Sequence, residues 1–211
     1  MEVTQITSKV IHLEYRSQEE LCAAFLRFQE HYESPEFRGK VFTLGQFHDW
    51  YSREKGGATY TRDWGGFNIP SYVLDPFIKG LFDPLTKAEE EIIGLFRYRT
   101  DKFYLIGTYR GGGSATLDHE ICHGLFYTCE DYCADVLHMI EPVEQELEPL
   151  RKHLKNLGYC DEVMLDEFNA YIATSTDYLD AEGVEYEEEL HRGLNKLFQK
   201  YLTKEKRNLK E

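Results

Sequence analysis

The chain has 211 residues, and its 24 Lys+Arg against 38 Asp+Glu give a formal net charge of −14. That balance argues against nucleic acid and anionic membrane surfaces as partners, since both select a positive face; the one basic cluster is TKEKRNLK near the C-terminal end. No window approaches the roughly 18–20 apolar residues of a membrane span, and the length suits a single domain over 1–211, with an N-terminal α+β part to about residue 114 and a helical part from about 115 onward.

Lys9–Tyr15 (KVIHLEY) is short and rich in strand formers, which predicts an opening strand. Ser17 and Glu20 then form a capping box ahead of Leu21, Phe25, Phe28 and Tyr32 at helical spacing. A second strand is predicted at Gly39–Leu44 (GKVFTL), followed by a short helix in GQFHDWYSREK. The run GGATYTRDWGGFNIP combines four glycines with aromatic residues and a proline and reads as an irregular, exposed loop. Its aromatics would either line a substrate pocket or clamp the loop onto its own core.

Thr86 and Glu89 supply another capping box, so a helix is expected from Lys87 to about Arg99. KFYLIGTY alternates Phe103, Leu105 and Gly107 against Tyr104, Ile106 and Thr108, which is a strand by pattern and propensity. Gly111–Gly113 lack the Lys-Ser/Thr ending of a phosphate loop and read as a flexible cleft rim. From there helices are expected over Leu117–Thr128, on to about Leu157, over Cys160–Leu179, and from Glu185 to about Tyr201. The fold class is α+β: helix-dominated, with a small sheet from the N-terminal half.

The N-terminal segment has no positive head followed by an apolar core, so no secretory signal is recognised. Cys22, Cys122, Cys129, Cys133 and Cys160 are odd in number and irregular in spacing, which fits reduced thiols and a cytoplasmic location.

The helix predicted at Leu117–Thr128 contains HEICH, the His-Glu-x-x-His pattern of zinc metallopeptidases. Four residues advance a helix by roughly 400° and 6 Å, so His119 and His123 share a face and can offer two imidazole nitrogens to one Zn²⁺. Glu120 points to a neighbouring direction, where it can take a proton from water beside the ion. On the helical wheel Leu117, Ile121, Cys122, Leu125 and Phe126 fill one half, and His119, Glu120, His123, Gly124 and Tyr127 the other. The opposing reading is a surface helix with two solvated histidines.

A catalytic zinc needs a third protein ligand. In CDEVMLDEFNAYIATSTDYL, Val163, Met164, Ala170, Tyr171, Thr174 and Tyr178 form a largely apolar face with Glu167 inside it. A carboxylate there is unfavourable without a cation or donors. Asp166, about 100° away, suits a role orienting a histidine. His138, Glu130, Asp131 and Asp135 are further ligand candidates on spacing, all within polar runs.

HEICH followed by DEFNAY resembles the gluzincins, zincin metallopeptidases whose third ligand is a glutamate on a separate helix. The resemblance covers KFYLIGTY through DEFNAY. It implies a zincin-like fold, zinc held by His119, His123 and Glu167, Glu120 as general base, and a peptide or protein substrate bound along the edge of the KFYLIGTY strand. Tyr171, one turn past Glu167, is the first choice for stabilising the oxyanion, although its place on the stripe also fits a core tyrosine. The alternatives are a non-catalytic interaction protein on the same scaffold and a zinc hydrolase of non-peptide amides. A thiolate zinc site is disfavoured because Cys122 faces away from the histidines and no C-x-x-C pair exists. Deformylases, which share the motif, need an upstream cysteine ligand, and only Cys22 lies upstream.

Overall fold

The computed structural model describes residues 1–112 and 115–209. Gly113, the last residue of the predicted glycine rim, lies outside them. Two compact units are formed: Met1–Gln5 with Ile11–Gly112, and Ile6–Val10 with Gly113–Glu211.

The first unit contains β1 (Glu2–Gln5), β2 (Val10–Tyr15, its first residue counted with the second unit), α1 (Gln18–Glu33), α2 (Leu44–Lys55), α3 (Tyr60–Asp63), β3 (Phe67–Pro70), α4 (Asp75–Ile78), α5 (Lys87–Phe96) and β4 (Tyr104–Tyr109). The four strands make one sheet in the order β1-β2-β4-β3, with β1 antiparallel to β2 and β3 antiparallel to β4. Helix α1 starts where its cap predicts, the Ser17 side chain accepting from the Glu20 amide. Its apolar side seats Leu21 and Phe25 against β4 at Gly107, where a Cβ would come within 2.6 Å of the Phe25 ring. Phe25 also stacks on Phe67 of β3, with centroids 5.7 Å apart.

Buried Arg27 of α1 pairs with Glu89 and donates to the Phe82 carbonyl at 3.0 Å. Glu89 also completes the Thr86 capping box of α5, so one carboxylate both neutralises a buried guanidinium and caps a helix.

Three sequence expectations are corrected here. Gly39–Leu44 is not a strand: Thr43 forms a capping box with Gln46 that turns the chain into α2, while Phe42 inserts among Phe37, Phe47 and Phe82. The run read as an irregular loop contains α3 and β3, because Tyr60 and Phe67 are drawn into the aromatic core. The KFYLIGTY strand, β4, is not an edge. It lies between β2 and β3, with His12 and Thr108 bonded across the β2 side at 2.7 Å, so its main chain is not free to bind a peptide.

The second unit is helical: α6 (Ala115–Thr128), α7 (Glu130–Ile140), a 3₁₀ stretch (Glu141–Leu147), α8 (Glu148–Leu157), α9 (Met164–Thr174), α10 (Thr176–Glu182) and α11 (Glu188–Asn208). The helix expected to run to Leu179 breaks at Ser175, so Tyr178 belongs to α10 and not to the α9 stripe. Helix α9 packs against α6, α7 and α11. Its core contacts come from Met164, Phe168 and Ile172, with Ile121 and Leu125 of α6, Val136 of α7, and Leu194 and Phe198 of α11 equally buried. Among the described residues no helix is long and apolar enough to cross a membrane.

Candidate metal centre

Helix α6 carries two kinds of face, and both are buried. Ile121, Cys122 and Leu125 enter the core as the wheel predicts, while on the other half Glu120 is 7% exposed and His123 4%. A solvated pair of histidines is therefore not what the fold builds. Behind the ligand-bearing helices, Cys122 Sγ meets the Tyr132 hydroxyl at 3.1 Å, and that hydroxyl donates to Asn169 Oδ1 at 2.9 Å. This buried chain joins α6 to α7 and α9 at positions adjacent to His123 and two residues past Glu167, and it fixes how the two helices face each other.

In front of that lock, His119, His123 and Glu167 each aim one ligand atom at a common point, all within 4.8 Å of one another. The two Nε2 atoms are 3.1 Å apart, His123 Nε2 is 3.7 Å from Glu167 Oε1, and His119 Nε2 is 4.0 Å from Glu167 Oε2. A tetrahedral ion with ligands at about 2.0–2.1 Å sets its donor atoms roughly 3.3 Å apart, so the set fits a small divalent cation after sub-ångström adjustment. Two imidazoles and one carboxylate form a donor set suited to zinc.

The opposite ring nitrogens are engaged as well. His123 Nδ1 lies 3.0 Å from Asp166 Oδ1, and His119 Nδ1 lies 3.0 Å from Ser175 Oγ. With the Nδ1 protons facing Asp166 and Ser175, the Nε2 lone pairs are left for an ion. Asp166 is thus where the sequence placed it, beside a histidine. Ser175 was not anticipated, because it follows the end of α9 and reaches His119 only through the break before α10.

Glu120 stands outside the ligand trio, and its charge bears on both His123 and Tyr171. Tyr171 lies beside the site, its ring edge-on to His119 with centroids 4.7 Å apart. Burial, with the nearby Glu167 and Glu120, pushes its hydroxyl up to about 12 despite a hydrogen bond from Tyr159, so it stays a protonated donor at neutral pH. His138, Glu130, Asp131 and Asp135 are exposed, and the last two face lysines of α11. None of the five cysteines forms a disulfide or joins a metal-binding group among the described residues. A cavity of about 470 Å³ in the first unit is walled by Cys22, Leu26, Tyr51, Tyr60 and Thr61, and it contains none of the three ligand residues.

The two histidines titrate in opposite directions. Burial pushes His119 well below the ordinary histidine value, aided by His123. Burial also opposes charge on His123, but Asp166, Glu167 and Glu120 together outweigh it and hold that ring well above the ordinary value. In the metal-free protein His119 is therefore neutral and ready to bind near pH 7, whereas His123 carries a proton that an incoming ion must displace. Metal affinity should accordingly climb by about tenfold per pH unit up to the raised value of His123, with the decline on acidification starting above the ~6.5 of a free histidine. Chelator-competition titrations across this range check it, with proton release measured in weak buffer. An affinity that is flat around neutral pH would contradict it.

Comparison with family models, curated proteins and solved structures finds no match.

Proposed function

We propose that the protein is a zinc-dependent metallopeptidase of gluzincin type, with a zincin-like arrangement carried by α6 and α9. The observation that supports this reading is the convergence of His119, His123 and Glu167, with a buried Glu120 next to the trio and not part of it. A zinc ion held there supplies Lewis acidity toward a carbonyl and acidifies water.

The protein's own groups do the rest. Asp166 and Ser175 hold the imidazoles in register. Glu120 accepts a proton from the attacking water and returns it to the leaving amine, so that one water and one amide become a carboxylic acid and an amine. Tyr171 is the hydrogen-bond donor for charge developing on the carbonyl oxygen. Because β4 is interior, the resemblance rests on the helical site alone, and the substrate must be held by surfaces other than that strand's edge.

The test is incubation of zinc-loaded protein with a proteome-derived peptide library, scored for new termini. Cleavage should appear with zinc and vanish on chelation. Stoichiometric zinc with no cleavage of any peptide would overturn the peptidase assignment.

A further inference from the structure

Beside the ligands, the second unit carries a row of aromatic rings of which the proposed hydrolysis uses Tyr171 alone. From Tyr171, edge-on to His119, the row continues to Tyr178 at 5.6 Å and to Tyr159 at 6.4 Å between centroids. His153 extends it, with its Nε2 3.0 Å from the Tyr178 hydroxyl and the two rings 5.8 Å apart. Three separate segments supply these rings: α8, the turn after it, and α9–α10. All four are partly buried and keep some contact with solvent, while Leu150, Leu154 and Phe168 of the same region are fully buried and already fill the core. Rings held together by hydrogen bonds yet left open to solvent form a wall, not a core.

Charge decides what such a wall accepts. Glu182 bears on Tyr178 and Glu120 on Tyr171, while the charge of Glu167, which also bears on Tyr171, would be taken up by a bound ion. Of the cations on α8, Arg151 is engaged with Glu144, Glu148 and Asp161 and Lys155 with Asp161 at 2.9 Å, while Lys152 is exposed. Aromatic faces next to carboxylates attract a cation through the ring quadrupole and through direct Coulomb attraction, whereas a neutral aromatic or aliphatic group gains packing contact without either charge interaction. The chain's net charge of −14 acts in the same sense at longer range.

We propose that Tyr159, Tyr171, Tyr178 and His153 form a specificity subsite next to the metal centre that receives a cationic side chain, lysine or arginine, of the substrate. Calling the bound molecule a substrate rests on the peptidase reading; the binding itself does not.

The experiment therefore measures binding and not turnover. N-acetyl-lysine amide, N-acetyl-phenylalanine amide and N-acetyl-leucine amide are titrated separately into the full chain, with and without zinc, and followed by NMR shifts of the tyrosine rings. The lysine amide should bind best. Tyr178→Ala should weaken it about 3- to 30-fold, the range of one cation–π contact, while Tyr178→Phe, which keeps the ring, should retain most of the affinity. Zinc content and helical circular dichroism are measured on each variant, and Tyr159→Ala stands in if Tyr178→Ala does not fold. Tighter binding of the phenylalanine or leucine amide, or a lysine-amide affinity indifferent to loss of the ring, overturns the subsite. Failure of the peptidase reading appears elsewhere, as absent library cleavage, and leaves these titrations interpretable.

Discussion

Replacing His119 or His123 with alanine should abolish stoichiometric zinc binding, and Glu167→Ala should weaken it severely while the protein stays largely helical. Each residue supplies one of three donor atoms gathered within 4.8 Å, and no fourth candidate ligand among the described residues joins that group. The alternatives by sequence spacing, His138, Glu130, Asp131 and Asp135, are exposed and do not join that group. Loss of one imidazole leaves two protein ligands, too few to hold zinc against dialysis. Metal analysis after equilibration in a zinc buffer reads the effect directly, and thermal unfolding supplies an independent check. A ligand that binds only the native state stabilises it by about 4 kcal/mol at a thousandfold excess over its dissociation constant, so wild-type protein should melt higher with zinc and the histidine variants should not. Full zinc occupancy in the His119→Ala/His123→Ala double variant would end the metal-centre assignment.

The reasons this trio could be found in the sequence are local and energetic. His119 and His123 fall on one face because a helix repeats after nearly four residues, and that holds wherever the helix packs. Glu167 is distant in sequence, but a carboxylate in an apolar stripe implies a buried partner, and its 6% exposure is what that argument requires. Asp166 followed from its position beside Glu167. Ser175 had no such signature: a serine after a helix end is ordinary, and its bond to His119 exists only because α9 stops before the apolar pattern does. The aromatic row is hidden for the same reason, since an unbroken helix would carry Tyr178 on the α9 stripe.

In the first unit, the Ser17 cap and the Thr86–Glu89 capping box mark the starts of α1 and α5 because a cap is a local interaction spanning three residues, although the Glu20 carboxylate accepts from the Arg16 amide and does not close the box at Ser17. The same chemistry at Thr43 and Gln46 lies inside a segment whose composition predicts a strand. Sheet order is different in kind. Period-two alternation identifies β4 as a strand, but whether it is interior or at an edge depends on which distant segments pair with it, and β3 lay within a run whose glycines spoke for a loop. The expected peptide-binding edge failed on that non-local step.

Glu120→Gln separates an enzyme from a metal-binding scaffold. The substitution keeps size, helix propensity and hydrogen-bonding reach while removing the group that takes a proton. Glu120 is not among the three ligand residues, so zinc content should stay near the wild-type value. Its negative charge favours both the proton on His123 and an incoming dication, so its removal should leave zinc affinity near neutral pH little changed. Turnover of any peptide identified in the library should nonetheless fall at least about 100-fold, the lower bound for losing a general base. Measuring zinc and cleavage on the same preparation makes the outcomes separable. Retained activity would place the base elsewhere, and joint loss of zinc and activity would make Glu120 a ligand or a structural element. Wild-type protein that binds zinc through this trio and cleaves nothing would instead be a binding protein built on a hydrolase's site, in which a buried glutamate beside two histidines has only an electrostatic part to play.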